Sequence, residues 1–196
     1  MIIQTHYVKS PVKITHTKLG IPSDYKKKCI EEIYNIGDQQ QKNTNLKASM
    51  SGWMIWDLTS IFNPLLEKIL ETVDHCYPLK GKSSASTYMK YYMTNAWTAT
   101  YKNDDFALNH GHEPAYIAWV YYFQSESSTP IIFNECDFKI YPESDTLVMF
   151  PASIIHSVPK HESSTDRLVL AGNIEAAYTD SKWERFQSKV YQPFNR

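Results

Sequence analysis

The chain has 196 residues with 20 Lys+Arg against 21 Asp+Glu, a formal net charge of -1. That length allows one domain with a sizeable core, and that charge excludes an electrostatic footprint for nucleic acid over the whole molecule. An apolar share of 42% with 21% charged residues excludes bulk disorder, and 14% aromatics against only 6 Gly lean towards half-buried pleated surfaces.

In chain order, the first element is a helix over about Ser23–Asp38. Ser23 is its candidate N-cap after Pro22, and Cys29, Ile30, Ile33, Tyr34 and Ile36 form its apolar stripe. Lys26, Lys27 and Lys28 belong to its solvated side. Gln39–Ser51 is polar and reads as a loop. A second helix follows, capped by Thr59 or Asn63, with Leu65, Leu66, Ile69, Leu70 and Val73 on its buried face.

From Ser83 onward the pattern changes to short runs rich in Tyr, Val, Ile, Thr and Trp. The runs are Tyr88–Tyr101, Ala115–Phe123, Pro130–Ile140, Thr146–Phe150, Ile154–Val158 and Arg167–Ile174, separated by polar turns such as Gln124–Thr129 and Lys160–Asp166. A last helix is expected over Asp180–Tyr191. No repeat is visible. The whole reads as one mainly β domain over 1–196, a jelly roll with flanking α-helices: a helical part at about 1–80, a β core at about 83–175 and a C-terminal helix at about 180–191.

Cys29, Cys76 and Cys136 are odd in number and irregularly spaced with no C-x-x-C pair, which suits reduced thiols inside a cell. The first residues, Met1–Tyr7, lack the basic and apolar stretches of a signal peptide. The longest apolar run, Ala115–Phe123, is far short of the ~20 residues that span a bilayer as a helix. A soluble, cytoplasmic protein without membrane contact is expected.

The histidines carry the chemistry. His110-Gly111-His112 lies before a strongly apolar strand, where residues i and i+2 share a face and can aim two imidazoles at one point. His156, in the proline-bounded segment Phe150–Pro159, supplies a third. Imidazole is the commonest side-chain metal ligand and suits Fe, Zn, Cu and Ni. His161, in a polar loop, reads as a surface residue, and His6, His16 and His75 have no partner pattern. Arg167 leads the strand Arg167–Asn173; facing inward, its planar fork would bind a carboxylate bidentately.

This constellation resembles the 2-oxoglutarate- and Fe(II)-dependent dioxygenases, in particular a subgroup found in bacteria and in phages of marine bacteria. The stretches that carry the resemblance are Ala96-Trp97, His110–Pro114, Val120–Tyr122, Leu147–Pro151 with His156–Pro159, and Asp166–Leu168 ending in Asn173, roughly Tyr92–Ile174. The resemblance implies a double-stranded β-helix. It implies that His110, His112 and His156 hold Fe(II), that Arg167 binds the distal carboxylate of 2-oxoglutarate, and that an unidentified substrate is hydroxylated with release of succinate and CO2. A phage-encoded copy would work in the host cytoplasm.

Two departures stand out. Most of the superfamily carries Asp or Glu where this chain has His112; Glu113 is the alternative carboxylate if the loop bulges. Many relatives place Ser two residues after the arginine, where this chain has Val169; Tyr91 or Tyr101 could replace its hydrogen bond. Trp97, Trp119, Tyr121 and Tyr122 should alternate between core and cavity, most of them core. Two other readings stay open: a cupin-type metal enzyme that does not use 2-oxoglutarate, and a non-enzymatic jelly-roll binding module. Substrate identity and oligomeric state are not legible, and the charge balance gives no support for nucleic acid.

Overall fold

The computed structural model describes residues 11–39, 44–79 and 89–178. In chain order these form β1 (Thr15–Lys18), α1 (Ser23–Ile36), β2 (Leu46–Lys47), β3 (Ser49–Met50), α2 (Ile55–Leu58), α3 (Asn63–Cys76), β4 (Met89–Tyr101), β5 (Phe106–His110), β6 (Ile117–Gln124), β7 (Ile131–Phe133), a 3-10 turn (Asn134–Cys136), β8 (Phe138–Ile140), β9 (Thr146–Pro151), β10 (His156–Val158) and β11 (Arg167–Tyr178). The helix expected at 180–191 and His6 lie outside the described residues.

The strands build two antiparallel sheets, one in the order β1-β9-β6-β11-β4-β3 and the other β2-β5-β10-β7-β8. They face each other across a shared apolar layer that includes Tyr122, Val148, Phe150 and Val169 from the first sheet and Ala107, Ile131, Phe133 and Val158 from the second. This is the expected jelly roll with flanking helices. The other face of the larger sheet carries α1 and α3. Leu65, Leu66, Ile69, Leu70 and Val73 of α3, with Cys29 and Ile33 of α1, pack onto Met93, Trp119, Tyr121, Phe123, Leu168 and Leu170. Because β6 is covered on both sides, it reads as a continuous apolar run, as a doubly covered strand must.

Both helices begin one residue earlier than N-caps at Ser23 and Asn63 would place them. Pro22, whose carbonyl accepts from the Lys26 amide, holds the cap position of α1, so Ser23 is its first helical residue. Phe62 does the same for α3; Thr59 Oγ1 instead accepts from the Ile61 amide in the preceding turn. Tyr34 is exposed rather than in the α1 stripe, and its hydroxyl donates to Asp166 Oδ2 (3.1 Å).

Other boundaries differ from expectation for local reasons. The run Pro130–Ile140 is a hairpin, β7 and β8, because the 3-10 turn at Asn134–Cys136 and the left-handed Asp137 (φ 47°) reverse the chain. The strand expected from Ile154 begins at His156, and β11 runs on past Ile174 to Tyr178 because β4 pairs with it throughout. The polar stretch 39–51 holds the short β2 and β3, which pair with β5 and β4. β1, α2 and β5 had no sequence signal strong enough to separate them from loop. β1 is fastened by Asp145, whose carboxylate accepts from the Gly20 and Ile21 amides and from the Tyr121 hydroxyl.

One glycine sets the register of the larger sheet. Gly172 of β11 sits opposite Trp119 of β6, and a Cβ at 172 would lie 2.6 Å from the indole and 2.5 Å from the Asn95 carbonyl oxygen. The absent side chain lets Trp119 lie across β11 and leaves the alternate residues of that strand, 167, 169, 171 and 173, facing the space between the sheets.

Candidate metal and carboxylate site

Between the sheets lies a cavity of about 450 Å³. Ala99, Val169 and Ala171 form its small-residue floor, and Tyr101, Tyr122 and Arg167 line it with the three histidines.

His110 closes β5, His156 opens β10, and the two are cross-strand partners. His112 reaches them by another route than strand periodicity. It lies in the loop after β5, and its amide donates to the Ala152 carbonyl (2.7 Å), which turns the ring back over the strand ends. Gly111 permits this approach, since a Cβ there would stand 3.3 Å from Ile155. One ligand nitrogen from each of His110, His112 and His156 lies within 4.8 Å of the others. The rings of His112 and His156 are stacked at 11°, with Trp97 stacked on His112 at 17°.

The outer hydrogen bonds fix which nitrogen is free. The carbonyl of Leu108 can only accept, so His110 Nδ1 donates to it (2.7 Å) and leaves Nε2 with its lone pair. His156 does the same towards the Ile154 carbonyl (3.2 Å). His156 Nε2 then stands 3.4 Å from His112 Nε2. Burial lowers the pKa of all three. For His110 the Leu108 carbonyl opposes the fall. For His112 the value drops to about 4, with His110 adding to burial and Asn173 pulling the other way. His156 is lowered well below the usual range by burial and by its two neighbours. All three rings are therefore neutral at pH 7, the form that binds a metal. Glu113 is exposed and lies outside this cluster.

Arg167 is buried, 1% exposed. Its Nη1 donates to the Thr129 carbonyl (3.0 Å), its Nη2 to the Tyr122 hydroxyl (3.2 Å), and its Nε has no partner. The guanidinium carbon lies 4.9 Å from the Tyr122 ring and 5.5 Å from the Tyr101 ring. Among the described residues no carboxylate pairs with it. A buried cation without a counter-ion is costly unless an anion completes it.

The aromatic residues divide by strand parity. Trp119 and Tyr121 pack against the helices, whereas Trp97 and Tyr122 line the cavity. Of the two tyrosines considered beside Val169, Tyr101 is at Arg167, while Tyr91 packs on the helix side and donates to the Tyr77 carbonyl. His161 is the clear reversal: it is 1% exposed, bonded through Nδ1 to Thr129 Oγ1 (2.9 Å) and through Nε2 to the Thr165 carbonyl (2.8 Å). A polar loop sequence conceals burial when a neighbouring hydroxyl and a backbone carbonyl satisfy the ring. His16 lies in β1 and His75 in α3, both away from the cavity. Sequence reasoning missed the contact of Tyr122 with Arg167, and missed Asn95, which faces Asn173 across β4 and β11.

No protein-family model and no curated protein sequence matches the chain. Solved structures do. A viral collagen prolyl hydroxylase of Paramecium bursaria Chlorella virus-1, in complex with 2-oxoglutarate, superposes with a TM-score of 0.61 at 12% identity over 84% of this chain and 96% of that one. HygX of Streptomyces hygroscopicus, with nickel, 2-oxoglutarate and hygromycin B bound, gives 0.61 at 9% identity over 84% and 83%. A prolyl hydroxylase of Trichoplax adhaerens, in complex with a peptide of hypoxia inducible factor, gives 0.58 at 15% over 88% and 86%. The chain thus shares the double-stranded β-helix fold of these 2-oxoglutarate oxygenases.

Proposed function

We propose that this protein is an Fe(II)- and 2-oxoglutarate-dependent oxygenase that oxidises an organic substrate. The observation that carries the reading is the shared cavity: three neutral imidazoles line it together with a buried, carboxylate-free Arg167. The donor set fits the metal. Three nitrogen ligands from one side leave further positions open, as oxygen-activating iron needs. The arginine fits the co-substrate, a dianion with one carboxylate at each end. Three neutral ligands leave Fe(II) at a formal +2, which a dianion neutralises.

When bound, Fe(II) would supply dioxygen activation coupled to oxidative decarboxylation of 2-oxoglutarate to succinate and CO2. The protein's part is positioning. The Leu108 and Ile154 carbonyls hold His110 and His156 with Nε2 inward. Arg167, with Tyr101 and Tyr122 beside it, receives the far carboxylate, and the apolar floor of Ala99, Val169 and Ala171 keeps water out between the two ends. His112, not Glu113, is the third ligand in this reading. Similar structures with 2-oxoglutarate bound support it at the level of fold. The cupin and binding-module readings leave Arg167 without a task.

The primary substrate is a small molecule or an exposed group of a larger one that enters beside Trp53, Trp97 and Glu113 at the cavity wall. Hydroxylation is the outcome this chemistry favours. The three free thiols suit work in the cytoplasm, and no helix among the described residues is long and apolar enough to cross a membrane. The test is anaerobic Fe(II) titration with and without 2-oxoglutarate. The expected result is a visible metal-to-ligand charge-transfer band that needs both. Bound metal without that band would overturn the assignment.

A further inference from the structure

Burial of His161 has a geometric purpose that the metal site does not use. Its Nε2 donates to the Thr165 carbonyl (2.8 Å), two residues before Arg167. A carbonyl can only accept, so in the tautomer this bond selects, Nδ1 accepts from the Thr129 hydroxyl (2.9 Å). Thr129 is itself 3% exposed, and its own carbonyl receives the Arg167 Nη1 (3.0 Å). The His161 backbone completes the clamp: its amide donates to the Asp105 carbonyl and its carbonyl accepts from the Asp104 amide, in the turn that follows Tyr101. The side chain thus ties the segment before β7 to the start of β11, and the backbone of the same residue ties both to the turn after β4.

We infer that His161 is a positioning residue for the carboxylate-binding end of the site: through Thr129 it fixes the setting of Arg167 and so the affinity for a second carboxylate on the co-substrate. This rests on the oxygenase reading. The geometry makes the link specific. The His161 ring touches neither the metal-directed histidines nor the cavity wall, so its effect must pass through Thr129 and Thr165. Without the ring, the Thr129 hydroxyl and the Thr165 carbonyl each lose a buried partner, and the Thr129 carbonyl loses a restraint on its setting. The backbone acceptor of Arg167 is then less firmly placed.

The experiment compares binding of 2-oxoglutarate with binding of pyruvate, which chelates metal through the same 2-oxo acid group but lacks the second carboxylate. Fe(II)-loaded protein is titrated anaerobically and followed by the charge-transfer band. For His161→Leu and Thr129→Val, 2-oxoglutarate affinity should fall about tenfold, the size of one lost hydrogen bond, with pyruvate unchanged. His161→Gln, which can accept from Thr129 and donate to Thr165, should restore it. The double variant should lose no more than either single change, since both cut one path. If His161→Leu does not fold, Thr129→Val carries the comparison alone, as it keeps the shape and removes only the hydroxyl. Equal loss for both acids, or no loss for 2-oxoglutarate, would overturn the inference. A wild-type protein that binds metal but neither acid would instead remove the oxygenase reading, and the inference with it.

Discussion

His110 and His156 stand directly opposite each other on β5 and β10, with ring centroids 4.3 Å apart. Two imidazoles whose Nδ1 atoms are both committed to carbonyls cannot hydrogen-bond each other well at that spacing. What they can share is a cation. Replacing either by Ala should therefore cost Fe(II) affinity by more than the ~10–100-fold that changes outside the ligand set bring. Equilibrium titration with Fe(II) under anaerobic conditions measures this, and His16→Ala, far from the cavity, serves as the control.

The third ligand is separable from its neighbour. His112→Ala should weaken Fe(II) binding as strongly as His110→Ala, and Glu113→Gln should leave it at the wild-type value, because Glu113 is exposed and outside the cluster. Loss of binding in the Gln variant would reassign the ligand set.

Arg167→Met should weaken 2-oxoglutarate binding, read from the charge-transfer band, towards that of pyruvate while leaving the ligand-free protein at least as stable. The wild-type side chain is a buried cation with an unpartnered Nε, and a thioether of similar length removes that penalty. Each kcal/mol gained would raise Tm by about 2–4 °C for a protein of this size. A marked fall in Tm would mean that the guanidinium is a structural anchor.

The metal-free protein should lose stability as pH falls. The folded-state pKa values of His110, His112 and His156 lie below the usual 6.5, with His112 at about 4. Below 6.5 the unfolded chain thus binds more protons than the folded one. The His112 contribution is complete above 6.5 and is lost progressively between there and about 4, and His110 and His156 act in the same direction. Thermal melts of the apoprotein across that window should slope downwards towards acid. The slope should be shallower in His112→Asn, which has no ring to protonate.

Gly172→Ala should destabilise the fold by ~1–3 kcal/mol, as overpacking does, because the added Cβ meets the Trp119 ring at 2.6 Å and a backbone oxygen at 2.5 Å. Urea unfolding gives the value; an unchanged midpoint would mean that Trp119 moves freely.

Much of this was legible in the sequence. The buried face of α3 follows from side-chain period alone, and six apolar runs announced the β core. His110, His112 and His156 were legible as a candidate set because imidazole is the commonest side-chain metal ligand, and the structure brings their nitrogens together. What stayed hidden depends on contacts between distant segments. Leu108 and Asn109 of β5 are both exposed, so that strand lacks alternation, and β2 and β3 are two residues each, held by their partners. The burial of His161 is fixed by Thr129 and Thr165, residues that look like any turn. Tyr122 meets Arg167 only through the register of β6 on β11.

The floor of the cavity is made of side chains that end early: Ala99, Val169 and Ala171, each held in a strand paired on both sides or against a long neighbour. Such positions form a dial. Lengthening one by a methylene changes the shape of the hollow while the strands that carry Arg167, His110 and His156 keep their register. A single methylene in an apolar pocket changes discrimination between substrates by about 10–200-fold. Under the proposed function, the fit of the co-substrate chain between the three histidines and Arg167 can therefore drift by single carbon atoms without disturbing those groups.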